Sequence, residues 1–429
     1  MVADEPQCGT DRTLAGRCHT LAQRLLETMG GQTSRTMADL KEVTCRWPFA
    51  HISIDVYGNI RPCCAWKLDY QIEHKPNQQV FNINRQPLSD YALSEFYKEL
   101  SSEMKQGQWG VGCIDCVQEH KAGIEGTREA GMRFPLQHEF KVHDVEIKFG
   151  NLCNQGCIMC SPMNSSVLEQ ERLKNKEFND ISRSHEILKW HFNRQTQSGI
   201  VHEPWYDNEE RFDEVVHMSS KVNTIKFRGG EPTVNKYLQK FLDKLSVITT
   251  EPEIFVNTNA HTFTQSLQES LSRFKRVQLS LSIDGFGSLN EYIRWPNNWN
   301  KLEKNVDRMI AMPNTKVFVS STVQLMNVGE MEDLVLWSKD KGMFEFLVNV
   351  VWSPDHWQPC LASQKRKDRY YDLAARHQSK TYDLQKIIPA IQKQLPEDKH
   401  KSKIQEARKW LSVYDKVRGN QWHSIVPNL

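Results

Sequence analysis

Three cysteines in one short loop constrain this chain more than any other feature of its sequence. They lie in the run Cys-Asn-Gln-Gly-Cys-Ile-Met-Cys, at positions 153, 157 and 160, with gaps of three and two residues. A 4Fe-4S cluster takes one thiolate on each of its four irons. A loop that offers Cys153, Cys157 and Cys160 alone would leave one iron open to bind a substrate or cofactor directly.

Zinc is the main alternative partner for these thiols. Structural zinc sites close with four ligands, usually as two separated pairs, yet no histidine occurs within ten residues after Cys160. A disulfide is disfavoured, because we recognise no secretory signal and the total of 11 cysteines is odd. The spacing favours a cluster, while zinc and free thiols stay open at this point.

The flanking sequence places the thiols between a strand and a helix. Residues 145–149 alternate in polarity as a strand does, and residues 161–172 begin as a capped helix. A second predicted strand, from residue 224, runs into Gly229-Gly230-Glu231-Pro232. Paired glycines can expose backbone amides and carbonyls to a ligand without side-chain obstruction. By itself the motif is also compatible with an ordinary turn before a helix.

Four more strand patterns follow, so the chain alternates strands with helical stretches. They cover residues 253–259, 276–282, 316–327 and 344–352. Six such units predict an α/β fold, a partial (β/α)6 TIM-like barrel that is open on one side. The active site of such a barrel is built at the carboxyl ends of its strands. Polar residues at or after these ends are Thr258, Asn259, Ser282, Asp284 and Arg294, although strand caps, turn starters and a surface arginine explain them nearly as well.

A second group of cysteines precedes the predicted barrel. A predicted hairpin with a Tyr-Gly-Asn turn separates Cys45 from Cys63, and Cys113 and Cys116 follow about fifty residues later. Four thiols brought together in this way suit either zinc or a fully ligated cluster. Cys64 stands beside Cys63 and competes with it as a ligand.

The three-cysteine spacing and the unbroken Gly-Gly-Glu-Pro match resemble the radical S-adenosylmethionine (radical SAM) superfamily. The resemblance implies a 4Fe-4S cluster on Cys153, Cys157 and Cys160 as the catalytic ligands, with the free iron chelating the amino and carboxylate groups of SAM. It also implies a set of cofactor-binding residues: Met159, Gly229, Gly230, Glu231, Pro232, Thr258, Asn259, Ser282, Asp284 and Arg294. Met159 departs from the family, which usually has an aromatic residue there; a thioether can still pack on a ring.

The upstream cysteines resemble the SPASM/Twitch extensions of radical SAM enzymes, which carry auxiliary 4Fe-4S clusters. The resemblance selects Cys45, Cys63, Cys113 and Cys116, by the count of four residues between Gly58 and Cys63. Two features depart from the family: the extension precedes the barrel, and cysteines for a second auxiliary cluster are missing. At most one auxiliary cluster is therefore expected.

Reductive cleavage of SAM to a 5'-deoxyadenosyl radical, followed by hydrogen abstraction, is the activity that the resemblance implies. It also implies an electron donor such as a flavodoxin or ferredoxin, and a peptide or small protein as substrate. Two other classes stay open, an iron-sulfur electron-transfer protein without SAM cleavage and a zinc-stabilised binding module.

Composition adds bounds on the chain of 429 residues. The net charge of +2 does not support a nucleic-acid partner, and no apolar stretch is long enough to span a membrane. Abundant cysteines without an export signal predict a cytoplasmic location. The predicted domains are a helical or flexible segment at 1–44, with a helix at 13–29, a SPASM/Twitch-like domain at 45–140, a barrel at 141–355 and a helical region at 356–429. The stretch 169–221 is longer than a normal barrel connection and is predicted to be a surface excursion, with a substrate-facing insertion as the alternative. Cys8, Cys18, Cys64 and Cys360 are predicted to be free, buried cysteines.

Overall fold

The computed structural model describes residues 45–132, apart from 56, 76, 122, 124 and 125, together with 139–178 and 204–426. The helix predicted at 13–29 lies outside these residues, as do Cys8 and Cys18. The predicted excursion at 169–221 is described only at its two ends.

One sheet of eight strands organises the described chain. Its spatial order is β2-β1-β3-β4-β5-β6-β7-β8, and all neighbours are parallel except the β1/β2 hairpin. The six strands β3 to β8 are the six that the sequence predicts, so the α/β fold is confirmed. The strands are β1 (His51–Ile54), β2 (Ile60–Arg61), β3 (Asp144–Lys148), β4 (Thr224–Arg228), β5 (Glu253–Thr258), β6 (Val277–Leu281), β7 (Thr315–Val323) and β8 (Phe346–Val350).

Helices follow most strands of the sheet. They are α1 (Trp47–Ala50), α2 (Leu68–His74), α3 (Glu95–Lys105), α4 (Ile114–Lys121), α5 (Thr127–Met132), α6 (Ser166–Lys174), α7 (Glu209–Ser219), α8 (Lys236–Ile248), α9 (Gln265–Ser272), α10 (Ser288–Ile293), α11 (Trp299–Ile310), α12 (Glu332–Asp340), α13 (Gln364–His377), α14 (Ile388–Gln392), α15 (Glu397–Arg418) and α16 (Trp422–Ile425). The C-terminal region is helical, as expected. No helix in the described ranges is both long and apolar enough to cross a membrane.

Alternation along each strand separates the two faces of the sheet. In β4, Ile225 and Phe227 are buried, and the Phe227 ring lies 5.3 Å from the ring of Phe241 in α8. Side chains of successive strand residues point to opposite faces. Lys226 and Arg228 therefore point to the other side, which we call the inner face of the sheet.

The cysteine-rich hairpin is part of the barrel sheet. Its turn is formed as predicted, with Gly58 at φ +81° and the Asp55 carboxylate accepting from the backbone N–H of Asn59 at 3.0 Å. Strand β1 pairs in parallel with β3, so that Ile52 lies beside Val145. The second cysteine group is thus joined to the first strand of the predicted barrel.

Candidate active site

The three-cysteine loop, residues 153–160, connects β3 to α6 and is held from two sides. The Cys153 N–H donates to Ser166 Oγ at 3.1 Å, at the start of α6. The N–H of Gly156 donates to Trp295 O at 2.5 Å, and that of Ile158 to Ile293 O at 2.9 Å. The loop is therefore hydrogen-bonded to the end of α10 and to the residues directly after it. We call residues 153–160 the cluster loop.

The three thiols of the cluster loop are buried or half-buried, so their thiolate forms need a nearby positive charge to be stable. Cys157 is buried, while Cys153 and Cys160 are half-buried. Burial raises the pKa of all three thiols, that of Cys157 to about 12 even though Arg294 opposes the rise. Beside them, the amide nitrogen of Gln155 is buried without an acceptor among the described residues. Metal ions supply the missing charge and stabilise thiolates, so this donor set fits an iron cluster.

The Gly-Gly-Glu-Pro motif packs directly on the cluster loop. Gly230 has φ +54°, and a Cβ there would lie 2.3 Å from the carbonyl oxygen of Leu152. The Glu231 N–H donates to the same carbonyl at 2.8 Å. Only a residue without a side chain allows this approach. Pro232 opens the 3-10 turn that follows.

Glu231 joins the ends of β4 and β5. Its carboxylate accepts from Thr233 Oγ1 and Thr258 Oγ1, both at 2.7 Å, and from the Asn259 N–H at 2.7 Å. Burial raises the pKa of Glu231, and these hydrogen bonds oppose the rise. Asn259 Nδ2 in turn donates to Asn154 Oδ1 in the cluster loop at 2.7 Å. The structure thus gathers the predicted residues Glu231, Thr258 and Asn259 into one network beside the thiols.

Arg294 lies against the cluster loop and is not a surface residue. It is buried, its Nη1 lies 3.9 Å from Cys157 Sγ, and its Nη2 lies 2.8 Å from Asp284 Oδ2. Asp284 is fully buried and also accepts from the Thr322 N–H at 2.7 Å. Burial raises the pKa of Asp284, against the opposing effect of Arg294. Asp284 therefore acts on the site through Arg294, which it holds beside Cys157.

Ser282 and Met159 complete the predicted set. Ser282 is half-buried after β6, and its N–H donates to Thr258 O at 2.7 Å. Met159 is partly buried against the core. The role of each predicted residue in binding SAM stays a prediction. Met159 lies on the cluster loop, Arg294 directly follows α10, and the others lie at the carboxyl ends of β4, β5 and β6.

The C-terminal helix α15 contributes residues that sequence reasoning missed. Arg418 Nη2 donates to the carbonyl of Gly156 at 2.7 Å, and the guanidinium pairs with Glu171 of α6 through contacts of 2.8 and 2.7 Å. Tyr292 donates to Asp415 at 2.9 Å. The apolar stripe that ends α15 predicts burial, but nothing in the sequence indicates the cluster loop as its partner.

The upstream thiols also converge. Cys63, at the end of the hairpin, is buried, and its pKa is raised well above the ordinary value by burial and by repulsion from Cys64, Cys113, Cys45 and Cys116. Burial raises the pKa of Cys116, in α4, to about 12. The hairpin and the distal Cys-x-x-Cys are therefore brought together as predicted.

Two of the leftover cysteines can be assigned. Cys360 is buried, as expected of a free core cysteine. Cys64 is only half-buried, and its thiol lies within hydrogen-bonding reach of Arg228. The interpretation of Cys64 as a plain buried cysteine is therefore wrong, because the hairpin end directs it toward a guanidinium on the inner face.

Comparison with protein families decides the assignment. The family profile for the radical SAM superfamily matches residues 147–337, and that for the SPASM iron-sulfur cluster-binding domain matches residues 45–117. The chain carries a radical SAM domain behind a SPASM domain. The predicted resemblance is thus confirmed, including the unusual order of the two domains. A radical SAM domain implies a 4Fe-4S cluster with SAM, and a SPASM domain binds auxiliary iron-sulfur clusters.

Individual relatives are distant. A GTP 3',8-cyclase of Clostridium botulinum is 24% identical over 210 residues, which are 47% of this chain and 54% of the cyclase. Molybdenum cofactor biosynthesis protein 1 of Dictyostelium discoideum is 26% identical over 138 residues, 30% of this chain and 22% of that protein. The chain thus spans about half the length of the cyclase and less than a quarter of the length of the Dictyostelium protein. Among solved structures, Streptococcus suis SuiB bound to precursor peptide SuiA is similar at 14% identity and a TM-score of 0.34, covering 73% of this chain and 58% of SuiB.

Proposed function

We propose that this radical SAM protein cleaves SAM reductively at the cluster loop and abstracts a hydrogen atom from a peptide or small protein. The observation that carries the proposal is the direct packing of Gly230 and Glu231 on the loop of Cys153, Cys157 and Cys160. In an electron carrier without SAM chemistry, the match of Gly229-Gly230-Glu231-Pro232 to the motif of SAM-cleaving enzymes would be unexplained. When bound, the cluster supplies the electron that cleaves the sulfonium of SAM to a 5'-deoxyadenosyl radical.

The residues of the chain would bind and orient the cluster and SAM. Cys153, Cys157 and Cys160 would hold the cluster, and the Glu231 network fixes the ends of β4 and β5 beside them. Arg294, which Asp284 holds at 2.8 Å, would present a cation to the carboxylate of SAM. Burial of these groups excludes water, which strengthens each electrostatic contact. Cys45, Cys63, Cys113 and Cys116 would hold the auxiliary cluster, and a flavodoxin or ferredoxin is the proposed electron donor.

A nucleotide is the second candidate substrate. It is favoured by the relative named GTP 3',8-cyclase, whose similarity covers 47% of this chain. The peptide proposal follows from the SPASM domain, because relatives with such extensions often modify peptides.

The test is release of 5'-deoxyadenosine by anaerobically reconstituted protein given dithionite and SAM. The triple variant Cys153→Ala/Cys157→Ala/Cys160→Ala should release none. Cys360→Ala, which removes a buried cysteine outside both groups, should match the wild type. No release from wild-type protein that carries its clusters, with GTP or candidate peptides present, would contradict the proposal.

A further inference from the structure

Three cations on the inner face of the sheet surround a single carboxylate. Glu146 of β3 lies 3.9 Å from Arg61 of β2, 3.7 Å from Lys148 at the end of β3 and 3.4 Å from Arg228 of β4. These N···O distances are longer than those of good charge-assisted hydrogen bonds. The donors of the three cations are therefore only partly used by Glu146.

The side chains of the three cations are more exposed to solvent than the carboxylate of Glu146. The Glu146 side chain is 1% exposed, whereas those of Arg61, Lys148 and Arg228 are 12%, 17% and 38% exposed. Burial raises the pKa of Glu146, but Arg228, Lys148 and Arg61 outweigh it and lower that pKa to about 2. Glu146 is thus ionised at neutral pH and offsets one of three positive charges. Each cation is thus more exposed than the carboxylate that the three share.

A second carboxylate near Lys148 is engaged elsewhere. Asp55 accepts from the backbone N–H groups of Tyr57 and Asn59 at 2.8 and 3.0 Å, and from Asn59 Nδ2 at 3.1 Å, which fixes the hairpin turn. Its charge still attracts Lys148. With Asp55 and Glu146 both counted, the inner face around Lys148 keeps an excess positive charge.

The active-site motif makes room for one of these cations. A Cβ at Gly229 would lie 2.8 to 2.9 Å from three carbons of the Lys148 side chain, so the first glycine of the motif lets that side chain cross it. Arg228 Nε also donates to Asn257 Oδ1 at 3.0 Å, and Asn257 Nδ2 donates to Ser280 Oγ at 3.3 Å. Polar groups thus continue from the cations along the inner face of β5 and β6, below the strand ends that carry Thr258 and Ser282.

We propose that Arg61, Lys148 and Arg228 bind an oxyanion of the substrate, a carboxylate or a phosphate, between the cluster loop and the hairpin cysteines. The inference rests on the proposed function, and it names the chemical class of the group that the substrate must carry. Arginine forks and a lysine are the donors that proteins use for carboxylates and phosphates.

Compensation of the charge of an auxiliary cluster is the competing role for these cations. Arg228, which lies beside Cys64, suits that role. Lys148 suits it less, because the geometry of its side chain is set by Glu146, at 3.7 Å, and by Gly229 of the Gly-Gly-Glu-Pro motif, which it crosses. Lys148 is therefore the residue that distinguishes the two roles.

The proposal is tested without turnover by calorimetric titration of the reconstituted full chain. The two probes are inorganic tripolyphosphate and a hexaglutamate peptide. We expect the wild type to bind at least one probe, and the preferred probe identifies phosphate or carboxylate. Lys148→Met should weaken that binding about tenfold, and added salt should weaken it further, because a charge within a few ångströms is removed or screened. Lys148→Arg should bind within about threefold of the wild type, because the charge is kept.

Two further variants sharpen the test. Glu146→Gln removes the counter-charge and should tighten probe binding, which a merely structural role would not do. Lys401→Met, in an exposed pair with Glu397 on α15, should bind as the wild type does. The proposal is overturned if the wild type binds neither probe, if Lys148→Met binds as Lys401→Met does, or if Lys148→Met loses SAM affinity tenfold. Release of 5'-deoxyadenosine by the same preparation reports separately on the proposed function.

Discussion

Replacing Arg418 by methionine should release the cluster loop from the C-terminal helix. The Arg418 side chain is 1% exposed and that of its partner Glu171 is 6% exposed. The guanidinium makes two contacts to Glu171 and one to the carbonyl of Gly156. The substitution keeps most of the volume but leaves a carboxylate buried without its cation.

The expected loss of stability follows from that geometry. Removing one partner of a buried ion pair costs about 3–5 kcal/mol, because the remaining charge is uncompensated. Replacing both partners by apolar residues of similar volume is often neutral. Arg418→Met/Glu171→Met should therefore recover most of the stability. It still leaves the Gly156 carbonyl without its donor, so the cluster loop stays loosened.

Urea unfolding and iron content together test this reasoning. Arg418→Met should unfold at a clearly lower urea concentration than the wild type, and the double variant at an intermediate or higher one. Both variants should lose loop iron faster than the wild type when exposed to a chelator. Arg376→Met, which breaks an exposed pair with Glu332, is the matched control and should leave both readouts unchanged. A single variant as stable as this control, or a double variant that keeps iron like the wild type, would refute the argument.

Three further outcomes follow from the structure. Gly230→Ala should abolish SAM binding and lower the iron content, because the new Cβ would meet the backbone carbonyl of Leu152, directly before the cluster loop. The control Gly342→Ala, at φ +66° in open space, should lower the stability by only about 1–2 kcal/mol through left-handed strain. Equal SAM affinities of the two variants would contradict this. Cys63→Ser should lower the iron content from about eight to about four atoms per chain, because Cys63 lies near Cys45, Cys113 and Cys116. Cys64→Ser should keep all of the iron, and the reverse result would make Cys64 the ligand. Burial and repulsion from Arg61 lower the pKa of Lys148 to about 8. The affinity for the oxyanion should therefore fall between pH 7 and 9, as the Lys148 ammonium loses its proton. A fall of the same size in Lys148→Arg would disprove the assignment of this pH dependence to Lys148.

Much of the fold was predictable because its signals are local. Alternating polarity predicts the six strands β3 to β8, and the hairpin turn predicts β1 and β2. The three-cysteine spacing predicts the cluster loop, and the Gly-Gly-Glu-Pro motif predicts the turn that packs on it. Both signals are local, because cysteine spacing indicates the metal ligands and glycine indicates left-handed backbone. The polar strand ends at Thr258, Asn259 and Ser282 converge because parallel strands end at one edge.

Sequence by itself determined the ligand types, the strand-to-helix loops and the family; tertiary structure decided which distant groups meet. No local pattern places Arg418 on the carbonyl of Gly156, since 262 residues separate the two. Nor does any pattern show that Arg294 is buried on Asp284, or that Lys148 and Arg228 share one carboxylate with Arg61. Such contacts arise from the register of neighbouring strands and from the docking of α15, and both depend on the packing of the whole core.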